Sequence, residues 1–115
     1  MNKILTILLI FMYLTVFSQD TLERKASFYH NKFEGRKTAS GEIFSQNKLT
    51  AASNHYKLGT VLIVMDEITG NFVIVTVNDR MAEKHTNKRI DLSKKAFRKI
   101  ANTNKGIIKV KIVEL

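Results

Sequence analysis

The sequence predicts a mainly β fold, a small β-barrel with one helical insert. Three observations predict it. Thr60–Asp66 (TVLIVMD) and Asn71–Asn78 (NFVIVTVN) are apolar strand-like runs, and Ile107–Leu115 (IIKVKIVEL) alternates apolar and charged residues in its middle, as a half-buried strand does. One stretch alone has clear helical spacing: Asp91-Leu92-Ser93 followed by KKAFRKIA. Cysteine is absent, so a domain of this size must hold itself together by packing and backbone pairing, which favours a closed, well-paired sheet.

Taken in order, the chain opens with Met1-Asn2-Lys3, one positive charge ahead of an almost unbroken apolar run from Ile4 to Phe17. Ser18-Gln19-Asp20 breaks that run with small and polar residues, which is the pattern of a secretory signal. Residues 1–19 are thus expected to be a signal peptide cleaved near Ser18 or Gln19, and residues 20–115 one domain. A membrane anchor needs about twenty apolar residues, more than this run supplies. A lipid anchor needs a cysteine at the cleavage point. The domain is therefore expected to be soluble in the periplasm or outside the cell, not a lipoprotein, and to act as a monomer.

Ala26–Tyr29 reads as a first strand. Asn31–Glu42 is polar and contains Gly35 and Gly41, so it reads as loop. Leu49–Ser53 is short, apolar and expected to be buried. Thr69-Gly70-Asn71 forms a hairpin turn between the two clearest strands. In the helix, Leu92, Ala96, Phe97 and Ile100 line one face, Asp91 or Ser93 caps the start, and Gly106 follows the end.

Eighteen of the nineteen Lys and Arg residues and all ten acidic residues lie after the N-terminal segment, leaving the domain at +8. Outside a cell such a charge suits acidic envelope polymers or anionic head groups, or simply solubility. Basic residues do not interleave with aromatics on one strand, so nucleic acid is not expected as a partner. His30, His55 and His85 are scattered without zinc spacing, and the chain carries neither a phosphate-binding glycine loop nor a nucleophile elbow. No metal or other cofactor is expected.

Carboxylates at element ends are what remain. Asp79, in Val77-Asn78-Asp79-Arg80, ends the most apolar strand at the rim of the barrel. Burial there would raise its pKa and a nearby cation would lower it, the setting of a tuned acid or base; a turn cap or a pairing with Arg80 or Arg89 is the plainer reading. Glu42 follows Thr38-Ala39-Ser40-Gly41, where small residues allow a substrate close to the backbone; a surface turn is the alternative. Asp91 is expected to cap the helix, whatever else it does.

In order and at their intervals, ASFYHNKFEGRKTASGEIF, LTAASNHYKLGT, VNDR and RIDLSKKAF resemble the motifs of the rare lipoprotein A family. That pattern runs roughly A-S-W/F-Y-G, G-R-x-T-A-N-G-E, L/M-T-A-A-H, L-P-x-G-T, V-N-D-R-G-P and R-x-x-D-L-S, and the likeness covers about Ala26–Leu115. It implies a six-stranded double-psi β-barrel related to expansins, and lytic cleavage of peptide-free peptidoglycan glycan strands. By matching position it implies Asp79 as the central catalytic acid and Glu42 in the same groove. Tyr29, Thr38, Asn78, Arg80 and Asp91 also fall on motif positions and are expected to bind substrate. Two departures matter: Ser53 stands where the family has histidine, and Ser45 where it often has aspartate. His55, two positions beyond Ser53, would share its face on a strand and could replace the imidazole. Met81-Ala82 replaces the usual Gly-Pro. These departures leave a second reading open, a non-catalytic glycan-binding module that recruits division or wall-remodelling proteins.

Overall fold

A computed structural model describes residues 21–82 and 88–115. The expected signal segment and His85 lie outside the described residues.

Six strands close into a barrel: β1 (Leu22–Phe28), β2 (Thr50–Ala52), β3 (Val61–Asp66), β4 (Phe72–Asp79), β5 (Arg89–Leu92) and β6 (Ile108–Glu114). Their order around it is β1-β5-β2-β4-β3-β6. The β1/β5 and β2/β4 pairs are parallel and the other four antiparallel. β5 lies between β1 and β2 in the barrel, so the long 29–49 loop must carry the chain past it from one to the other, and it runs over the sheet. The β3–β4 hairpin turns at Gly70, whose φ of 77° places it in the left-handed region that glycine adopts without strain.

Alternation on β3, β4 and β6 sends Leu62, Val64, Val73, Val75, Val77, Val110 and Ile112 into one core. The helix α1 (Lys94–Arg98) adds Ala96 and Phe97, with Ile100 just beyond its end. The Phe97 ring meets Phe28 edge-on at 4.9 Å.

Four expectations need correction. β1 begins at Leu22, because Leu22–Ala26 pairs with β6 although its exposed positions are charged. β5 is a strand that periodicity does not reveal: Arg-Ile-Asp-Leu is too short to show a period. Leu92 therefore belongs to β5, and Ser93 alone caps α1, its hydroxyl accepting from Ala96 N. Asp91 is a strand residue and caps nothing. Gly106, at φ 68°, closes a 3-10 turn at Thr103–Lys105, well after α1 has ended.

Candidate active site

The pairings Ser27–Asp91, Asp91–Ala52 and Ala52–Asp79 set four residues side by side across β1, β5, β2 and β4. Their strand neighbours Ala26, Leu92, Ala51 and Val77 point into the core, so this row faces outward. At about 4.8 Å per strand, the Cα atoms of Asp79 and Asp91 stand roughly 10 Å apart with Ala52 between them.

Asp79 reaches this face through a β-bulge. Along β4, Val73, Val75 and Val77 point inward, and simple alternation would put Asp79 inside with them. The register instead jumps from Ala51–Val77 to Ala52–Asp79, leaving Asn78 as the extra residue. A one-residue insertion reverses the sense of every later side chain, and bulges are used to re-aim side chains in this way. Asp79 thus ends its strand as expected, on the outer surface of the barrel.

The 29–49 loop roofs this surface. Tyr29 is buried, stacks on Phe44 at 4.1 Å, meets Phe33 edge-on at 5.8 Å, and shares a small apolar cluster with Ala52. Its hydroxyl donates to Asp79 Oδ2 at 2.7 Å. The backbone N–H groups of Ala39 and Arg80 donate to Asp79 Oδ1, each at 2.9 Å. Burial first, then the hydrogen bond and charge of Asp79, and last the charge of Asp91 hold the Tyr29 phenol far above its ordinary range. The phenol stays protonated and serves as a fixed donor.

Ala39 belongs to the turn that carries Glu42. Thr38 is buried, and both its N–H and its hydroxyl donate to the Glu42 carbonyl, at 2.7 and 2.9 Å. Gly41, at φ 93°, allows this tight return. Ser40 N donates to the Asn78 carbonyl at 3.1 Å, docking the turn on the bulge. The Glu42 carboxylate is exposed and accepts from Ser40 Oγ at 3.2 Å. Glu42 and Asp79 therefore flank one structural unit. Asn78 is 3% exposed, and its side-chain oxygen has no partner among the described residues.

The remaining motif residues hold this wall together. Arg80 does not pair with Asp79; its guanidinium donates to the carbonyls of Ser53 and Tyr56, both at 2.7 Å. Asn54 exchanges two hydrogen bonds with the backbone of Met81, at 2.8 and 3.0 Å, fixing the segment that replaces Gly-Pro. Ser53 is buried; its N–H donates to the Asp79 carbonyl and its hydroxyl accepts from His55 N. The strand geometry expected for Ser53 and His55 is absent, since β2 ends at Ala52. His55 is exposed on a bend with its ring edge-on to Tyr56 at 4.8 Å. Asp91 accepts from Ser27 Oγ and lies 3.7 Å from the Arg89 guanidinium.

Two further residues support the site. Ala52 is the small floor that admits the Tyr29 ring. Gln46 ties the roof to α1, donating to the Tyr29 carbonyl at 2.7 Å and accepting from Lys94 N at 2.8 Å. A lone glutamine in a polar loop gives no sequence signal for that role.

Fold and site together define a double-psi β-barrel that carries Asp79 and Asp91 in one row on the outside of its sheet. The chain belongs to the lytic transglycolase family, whose sequence pattern it matches over residues 21–112. It is 40% identical over 92 residues to the endolytic peptidoglycan transglycosylase RlpA of Pasteurella multocida, covering 78% of this chain and 31% of that one. An uncharacterized protein of Synechocystis is 42% identical over 94 residues, covering 82% of this chain and 99% of its own length. The chain thus spans about a third of the named transglycosylase and nearly all of the small cyanobacterial relative. An expansin of Clavibacter michiganensis, crystallised as a variant with cellohexaose, superposes with a TM-score of 0.65 at 25% identity, over 83% of this chain and 50% of that one. The Streptomyces papain inhibitor shares the fold alone, with a TM-score of 0.64 at 24% identity over 81% of this chain and 94% of its own.

Proposed function

We propose that this protein is a peptidoglycan lytic transglycosylase that cleaves the β-1,4 bond between N-acetylmuramic acid and N-acetylglucosamine in peptide-free glycan strands. The observation that carries the reading is Asp79, turned outward by the bulge and fixed by Tyr29, Ala39 N and Arg80 N. The family membership supports the substrate class, as do the transglycosylase relatives.

Asp79 Oδ1 already accepts two N–H bonds, whereas Oδ2 accepts only the Tyr29 hydroxyl, so Oδ2 is the oxygen that carries the transferable proton. It gives that proton to the glycosidic oxygen as the bond to the anomeric carbon breaks. The muramic 6-hydroxyl oxygen bonds to the same carbon and its proton passes to Asp79. The product is a 1,6-anhydro end, and no water is consumed. An ordinary hydrolase would need a second carboxylate as base or nucleophile; here one residue serves as acid and then as base. Glu42, on the turn that holds Asp79, orients the sugar. Export to the periplasm or the cell exterior places the protein with this substrate.

The test is incubation with peptide-free strands and mass spectrometry for anhydromuramyl ends. Asp79→Asn is expected to lower product formation by about 10²–10⁴-fold; equal product from wild type and variant would remove the assignment. One observation favours a second reading, a glycan-binding module without catalysis. Ser53 occupies the family's histidine position and its hydroxyl is occupied by the His55 backbone, so among the described residues no imidazole is fixed beside Asp79. Co-sedimentation with sacculi without any release of soluble fragments would establish that reading instead.

A further inference from the structure

Around the site, two arginines are consumed internally: Arg80 by the carbonyls of Ser53 and Tyr56, and Arg89 by Ser27 and Asp91. Arg36 is not. Its guanidinium lies over the Phe33 ring, 5.4 Å from the centroid, and the Lys32 ammonium lies 5.3 Å from the same centroid. Both cations are exposed, and among the described residues no carboxylate lies within ion-pair distance of either. The nearest acids in sequence are engaged elsewhere: Glu34 accepts from Gln46 N, and Glu42 from Ser40 Oγ.

Phe33 couples this pair to the chemistry. It is half-buried against Tyr29, whose hydroxyl holds Asp79, with 5.8 Å between the two ring centres. Two cations without an ion-pair partner among the described residues, on an aromatic platform packed against the tyrosine that holds Asp79, suit an anionic ligand. A peptide-free glycan strand bears one kind of anion: the lactyl carboxylate of each muramic residue. In a peptide-substituted strand that group is an amide and carries no charge.

We propose that Arg36 and Lys32, presented by Phe33, bind the free lactyl carboxylate of a muramic residue next to the cleavage site, and so select peptide-free strands. This inference rests on the glycan-strand reading of the Asp79 site. A guanidinium matches a carboxylate with two parallel N–H bonds, so Arg36 is the main contact and Lys32 adds charge. The site selects by attraction: a strand without the charge loses the pairing and is held only by the neutral sugar contacts.

Binding of the full chain to three length-matched probes tests this: peptide-free strands, the same strands with lactyl carboxyls converted to methylamides, and chitin oligosaccharides. Wild type is expected to bind the anionic strand about tenfold more tightly than the amidated one, a gap that narrows as salt is raised. The Lys32→Gln and Arg36→Gln double variant is expected to lose that gap while binding the amidated strand as wild type does, which also reports that it is folded. Equal wild-type affinity for the anionic and amidated strands overturns this inference and leaves the glycan reading standing, and so does a gap that survives in the double variant. Wild type that binds none of the three probes overturns both.

Discussion

The two ends of β4 are built on opposite principles. From Phe72 to Thr76 the strand pairs in regular register with β3, and Val73, Val75 and Val77 enter the core by strict alternation. At Asn78-Asp79 the register slips against β2, and the Asp79 side chain turns to the outer face. The first end gains its energy from apolar burial, which is non-directional and tolerant in detail. The second depends on directed hydrogen bonds to one carboxylate. One strand thus anchors a site by being ordinary for most of its length and irregular at its last two residues.

Substitutions at the two ends should separate stability from activity. Leu62, fully buried opposite Val75, belongs to the regular end. Leu62→Ala is expected to cost about 2–5 kcal/mol in denaturant unfolding, with kcat on glycan strands unchanged where the variant is folded. A large fall in kcat would break the separation.

Tyr29→Phe strikes the irregular end. Loss of a hydrogen bond to a charged group, worth about 1.5–3 kcal/mol, is expected to lower kcat by roughly tenfold or more while the aromatic stacking survives. The same variant tests the titration of Tyr29. Burial, followed by the Asp79 hydrogen bond, raises the folded-state pKa of this phenol, and burial also raises that of Tyr56. Their contribution to stability is complete below about pH 10, the unfolded-chain value, and is lost as pH rises through the folded value. Wild type should therefore lose stability above that pH, and Tyr29→Phe should lose less of it. Identical alkaline slopes would show that the phenol is not held as described.

The smallest effects come from a matched pair of glycines. Gly70 and Gly41 have φ of 77° and 93°, and an added Cβ would meet nothing within 4 Å at either position. Each Gly→Ala change should cost about 1–2 kcal/mol through backbone conformation alone. Only Gly41→Ala, in the turn that donates to Asp79, should also lower kcat. Similar kcat for both variants would show that the turn does not position the carboxylate.

Much of this was legible in the chain because the signals were local. Apolar runs marked β3 and β4, alternation marked β6, and Thr69-Gly70-Asn71 marked their hairpin. The ordered motifs pointed to the family, and with it the six-stranded barrel. β5 was invisible to periodicity because four residues cannot establish a period, and Asp91 was misread as a cap for the same reason. The expectation that His55 shares a face with Ser53 failed because it presumed a strand that ends one residue earlier.

The sequence by itself determined that the protein is a β-rich barrel with its carboxylates at element ends, since periodicity, turn chemistry and motif order are properties of near neighbours. Tertiary structure alone decided which way those carboxylates point. The bulge at Asn78 exists only against β2, the Tyr29–Asp79 bond spans fifty positions, and the Arg80 guanidinium turns from its sequence neighbour toward Ser53 and Tyr56. Hydrogen bonds and register are settled between strands, where adjacency in the chain has no say.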